Sequence, residues 1–138
     1  MTRDKLSQIF YINKELKMWE EELQALREKS LMKSKQITDM PFANTNEMGN
    51  PVEQLVIQIT DIEMIILGKK KELEIERTRL MNFIDNIDDS LMRMIVKYRC
   101  MDCLTWYEVS QMVGGNNTED SCKKAYSRFC HAQDELKY

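Results

Sequence analysis

Glycine and proline are scarce, with four and two among 138 residues, and aromatic residues make up only 8%. With 31% charged residues, that scarcity favours an all-α protein over one built from many short strands and turns. No apolar run is long enough to span a bilayer, so no membrane partner is expected. The first residues, Met1-Thr2-Arg3-Asp4-Lys5, lead into an amphipathic helix rather than an apolar signal core, which points to the cytoplasm. There is no nucleophile elbow, no glycine-rich phosphate loop and no His-Glu-x-x-His, and no other catalytic constellation stands out. The expectation is a protein that is not an enzyme and needs no cofactor or metal.

Four cysteines are present, too few for a disulfide scaffold, and thiols stay reduced in the cytoplasm. Cys100-Met101-Asp102-Cys103 has the spacing of half a zinc site or of a redox pair. Cys122, Cys130 and His131 are the nearby candidates for further ligands, and their spacing matches no standard zinc finger. Packing as small buried residues is the expectation for all four. The run Lys69-Lys70-Lys71 reads as a solvated helix face.

The first two-thirds carries two long helical seams. Ile9, Ile12, Leu16, Trp19, Leu23 and Leu26 recur at alternating steps of three and four, the spacing of a coiled-coil seam. A second helix is expected from Pro51, since proline suits a first turn. Val52, Ile59, Ile66, Leu73, Leu80 and Ile87 repeat every seven residues along it, flanked by Leu55, Ile62 and Phe83 and interrupted by Lys69 and Glu76. Residues 37–50 between them hold Asp39, Pro41 and Gly49 and read as a linker. The spacing therefore predicts a long antiparallel hairpin over 1–87. Val56, Ile57, Met64, Ile65 and Leu67 add apolar surface beyond the seam, which calls for a cover: another subunit, making a homo-oligomer, or the chain's own C-terminal helices.

Residues 88–138 read as three short helices. Asp88, Asp89 and Ser90 offer cap oxygens ahead of Leu91, Met94, Ile95 and Tyr98. Thr105-Trp106-Tyr107-Glu108 is a capping box, and Trp106, Val109, Met112 and Val113 follow on one face, with Trp106 expected to wedge between all three helices. Gly114-Gly115 stops that helix, and Asn116, Asn117 and Thr118 cap the next. Two helices joined by a short glycine turn are the signature of a helix-turn-helix.

The segment Arg99-Cys100-Met101-Asp102-Cys103-Leu104-Thr105-Trp106-Tyr107-Glu108-Val109-Ser110 resembles a motif of phage-encoded regulators, roughly Arg-Tyr-x-x-Gly-Leu-Thr-Trp-x-x-Ile-Ala. The helix-turn-helix of that motif is similar to region 4 of sigma-70 factors. The layout, a long helical hairpin followed by this module, also resembles the RinA-like and ArpU-like phage late-gene regulators, as does the Met40-Pro41 step after Thr38-Asp39. Cys100 stands where that family has an aromatic, Cys103 where it has glycine, and Ser110 where it has alanine. Ser110 and Cys122 are twelve apart rather than the usual ten, so two extra residues fall within Gly114–Asn117.

The resemblance implies a protein of the bacterial host cytoplasm that binds double-stranded DNA and controls phage gene expression, with RNA polymerase as a further partner. At 100° per residue, Cys122, Ala125, Tyr126, Phe129, Ala132 and Leu136 share one side of the last helix. Lys123, Lys124 and Arg128 on the other side suit phosphates or guanine, Ser127 can bond either, and His131 suits phosphate. Thr118 and Ser121, near the helix start, approach base edges first. Residues 91–138 hold seven Lys+Arg against six Asp+Glu, too neutral for tight binding by one copy. Two other functions remain open: a small terminase-like packaging protein, and a coiled-coil adaptor whose C-terminal bundle binds protein.

Overall fold

A computed structural model describes residues 1–39 and 51–136, the side chains of 34–39 excepted. Its helices are α1 (Arg3–Leu6), α2 (Gln8–Asp39), α3 (Pro51–Asp85), α4 (Ser90–Val96), α5 (Trp106–Val113) and α6 (Glu119–Glu135), with a π-helical turn over Lys97–Met101. No strand occurs among the described residues, and the protein is all-α. Most of the expected linker, 40–50 with its Met40-Pro41 step, lies outside the described residues. Its first part, 37–39, is helical and closes α2. Pro41 restricts only the residue ahead of it, so nothing in the sequence stops the helix sooner.

Contacts divide the chain into Lys14–Lys71 on one side and Met1–Asn13 with Glu72–Tyr138 on the other. The expected border at 87/88 is therefore not where packing divides. Leu6, Ile9 and Leu80 are buried in the same core as Ile95, Val96, Val109 and Cys122. The first seam runs unbroken through residue 13, and the heptad Ile66-Leu73-Leu80 carries the second past residue 71, so periodicity carries no clear mark of the change in partner.

In the Lys14–Lys71 unit, α2 and α3 lie antiparallel. Leu23 is buried with Ile62 and Ile66, and Leu16, Trp19, Leu26 and Ile59 pack around them. Arg27 pairs with Glu63 at 2.9 Å and Lys69 with Glu15 at 3.1 Å, so contacts later on one helix fall earlier on the other. These partly exposed pairs add little energy. Lys69, an interruption of the seam by sequence, sits at its edge and reaches Glu15. The opposite face of α3 shows Ile57, Met64 and Leu67 to solvent.

In the second unit the N-terminal helix is not continuous. Thr2 caps α1, and Ser7 breaks it from α2, with its hydroxyl donating to the Arg3 carbonyl at 3.0 Å. Such local bonding by serine competes with helix continuation. On α4 the buried side chains are Met92, Ile95 and Val96, whereas Leu91 and Met94 are exposed. Five of the seven α4 residues are apolar, so no single stripe sets its rotation. Arg93 on α4 donates to the Ile87 carbonyl. Asp89 is the N-cap residue, but its side chain makes no capping bond.

The last two helices also differ in part from expectation. Trp106 is half-buried, and Met112 is 55% exposed. On α6, Cys122, Tyr126 and Cys130 are buried and Ala125 and Phe129 pack against the core. Ala132 is exposed and Leu136 is 79% exposed. The helix stays continuous beyond Cys130, the last residue that its packing partners bury.

Candidate nucleic-acid interface

The turn into α5 is built by three local devices. Lys97–Met101 forms a π-helical turn in which the Asp102 amide donates to the Lys97 carbonyl at 3.2 Å. Cys103 then takes φ +56°, a left-handed conformation that glycine adopts without strain. The capping box closes as read from sequence, with the Glu108 amide donating to Thr105 Oγ1 at 3.2 Å and the Thr105 amide to Glu108 Oε1 at 3.5 Å. Ser110 is 5% exposed and its hydroxyl donates to the Tyr107 carbonyl at 2.6 Å. With that bond made, serine fits where a small apolar residue is usual.

Gly114–Asn117 forms the turn between α5 and α6. Gly114 has φ 71° and ψ −159°, a region open almost only to glycine, and Gly115 has φ 64°. Asn117 Nδ2 donates to the Gly114 carbonyl at 3.0 Å, tying the turn together. Thr118 and Ser121 then form a second capping box, with amide-to-hydroxyl distances of 2.9 and 3.1 Å. The sequence marked both as base-reading residues, and their hydroxyls are already in use at the start of α6.

Lys123, Lys124, Arg128 and His131 are exposed along α6. Lys124 lies 3.6 Å from Asp120, and His131 3.2 Å from Glu135, each one turn away. Contacts this exposed contribute little energy. Ser127 is half-buried and accepts from Arg3 Nη2 at 3.0 Å. The structure thus brings Arg3 to the α6 face, a cation the sequence reading missed because the two positions are 124 apart. Arg128 borders a groove of about 650 Å³ with Phe83, Asp88, Asp89, Met92 and Phe129. Asp88 and Asp89 give that end of the face a negative side.

Beneath this face lie the thiols. Cys100 Sγ is 3.4 Å from Tyr126 Oη, and burial pushes the Cys100 thiol up to about 11. Burial likewise raises Tyr126, Cys122 and Cys130. A thiol held protonated is a poor nucleophile, the opposite of what a redox pair needs. Cys103 Sγ lies 3.9 Å from the Cys100 and Met101 carbonyls and meets Asn13 Nδ2 at 3.7 Å. Among the described residues, no three His, Cys, Asp or Glu side chains are placed to hold a metal ion, and no helix is long and apolar enough to cross a membrane. Comparison with protein-family models, with curated proteins and with solved structures finds no match.

Proposed function

We propose that the chain is a phage-encoded DNA-binding transcriptional regulator acting on late genes, with α6 as its recognition helix and host RNA polymerase as a further partner. One observation carries this reading. After a two-glycine turn, α6 starts on a closed capping box, buries Cys122, Tyr126 and Cys130, and shows Lys123, Lys124 and Arg128 to solvent. A helix held on one side and showing three cations on the other, beside the exposed carboxylates Glu119, Asp120 and Glu135, can lie in a major groove. Cations that reach phosphates release counterions and supply the sequence-independent share of affinity. With 7 Lys+Arg against 6 Asp+Glu in 91–138, one copy binds weakly, so copies must act together or polymerase must hold the module in place.

The test is selection of bound fragments from the source genome at low salt, followed by titration of the enriched site against rising salt. Recovery of one enriched sequence supports the reading; no DNA affinity at any salt removes it. The adaptor reading has one observation in its favour. Tyr107 and Met112, 62% and 55% exposed, border an apolar groove of about 400 Å³ with Tyr98 and Leu104. A polymerase surface or another protein would suit that groove.

A further inference from the structure

Helix α3 carries two seams on opposite sides within the Lys14–Lys71 unit. Leu55, Ile62 and Ile66 are buried, with Ile59 packed beside the last two. At 100° per residue, Ile57, Thr60, Met64 and Leu67 fall on the other side, again at steps of three, four and three. Ile57, Met64 and Leu67 are 56%, 68% and 57% exposed, so this second seam faces water. Glu53 and Lys71 lie on the centre line of the same stripe, one beyond each end, and both are exposed. They are 18 residues apart, or about 27 Å along the helix.

We propose that this outer seam binds a second copy of the same helix in antiparallel orientation, giving a two-fold dimer. A two-fold axis at the level of Ile62 sets Ile57 against the second copy's Leu67 and Thr60 against its Met64. The same operation sets Glu53 against the second copy's Lys71, and Lys71 against its Glu53, so the apolar centre is closed at both ends by opposite charges. Val56 falls against the second copy's Gly68, where an added Cβ would have nothing within 4 Å. That leaves room for the valine. A parallel pair would set Glu53 against Glu53 and Lys71 against Lys71, and like charges across a seam disfavour it. A single seam buries less than the ~800 Å² per partner of a standard complex, so the dimer is expected to be weak and concentration-dependent. It does not depend on whether α6 binds DNA.

Sedimentation equilibrium of the full chain at rising concentration tests the dimer, with circular dichroism checking that each variant keeps its helicity. The native chain should pass from monomer to dimer. Met64→Glu, at an exposed position, should leave helicity intact and abolish association. Glu53→Lys and Lys71→Glu should each weaken the dimer roughly tenfold, because each turns two attractive contacts into two repulsive ones. Combining them should restore the native dissociation constant. A chain that stays monomeric, or a dimer indifferent to Met64→Glu, overturns the proposal. A dimer on which the charge reversals act without mutual rescue overturns the antiparallel pairing.

Discussion

The Arg99 guanidinium lies over the Trp106 ring, 4.6 Å from its centroid, and also donates to the Leu104 carbonyl at 2.9 Å. One side chain thus clamps both ends of the turn between the π-helical segment and α5. Arg99→Ala removes the stack and leaves a part-buried carbonyl without its donor. It should cost about 1.5–3 kcal/mol in urea unfolding. Arg99→Lys keeps the charge but loses the planar fork and should recover less than half of that. Full recovery by lysine would show that charge alone holds the turn.

Two positive-φ sites should respond in opposite directions. Cys103→Gly relieves a left-handed cysteine at φ +56° and should raise stability by up to about 1 kcal/mol, with long sulfur contacts to Asn13 and to the Cys100 and Met101 carbonyls lost. Gly114→Ala imposes a Cβ where φ is 71° and ψ −159°, and should lower stability by about 1–3 kcal/mol. Denaturation midpoints of the two variants measure both. A destabilised Cys103→Gly would mean that the thiol's contacts outweigh the strain.

Alkali should unfold the protein in a defined window. Cys100 is raised in the folded state from 9.0 to about 11, so above pH 9 the unfolded chain loses a proton that the folded chain keeps. The stabilisation is complete below pH 9 and is lost as pH rises towards 11. Its upper bound for this one group is about 2–3 kcal/mol. Tyr126 is shifted in the same direction and steepens the fall above its ordinary value of 10.0. Unfolding free energies measured from pH 8 to 11 should decline, and less so in Cys100→Ala. An unchanged profile in that variant would assign the effect to other groups.

For DNA binding, Lys124→Ala with Arg128→Ala should leave folding intact, since both side chains are exposed. The double variant should lose specific binding. The slope of log K against log salt should fall by about 1 for each phosphate contact removed. Lys29→Ala with Lys70→Ala, also exposed but on α2 and α3, is the control and should change little. If the control proves the more damaging, the DNA surface lies on the long helices.

Leu6 is fully buried beside Ile95, Val109 and Cys122, so residues 88–138 alone lack part of their core. Leu6→Ala should destabilise that unit by about 3–5 kcal/mol. Amide exchange in α5 and α6 should rise accordingly. A fragment of 88–138 with full native protection would show that Leu6 and Leu80 only decorate the module.

What periodicity and capping chemistry encode was legible in the sequence. Ile9, Ile12, Leu23, Leu55, Ile62, Ile66 and Leu80 are buried as their spacing requires, α3 starts at Pro51, and the Thr105 capping box closes. The exposed cations of α6 followed from a rotation count. The rotation of α4 did not, because Leu91, Met92, Met94, Ile95 and Val96 make it apolar on several sides. Arg3 at Ser127 and Leu6 in the C-terminal core are contacts across more than eighty residues, which no local pattern records. Leu136 follows its helix's apolar phase yet lies in solvent, 79% exposed.

The bond between Arg3 and Ser127 also imposes an order in time. The two residues leave the ribosome 124 positions apart. At ~5–20 residues per second, Arg3 waits on the order of ten seconds for its acceptor. Throughout that interval Leu6 and Ile9 have no C-terminal core to enter, so their apolar side chains stay uncovered until the last helices arrive.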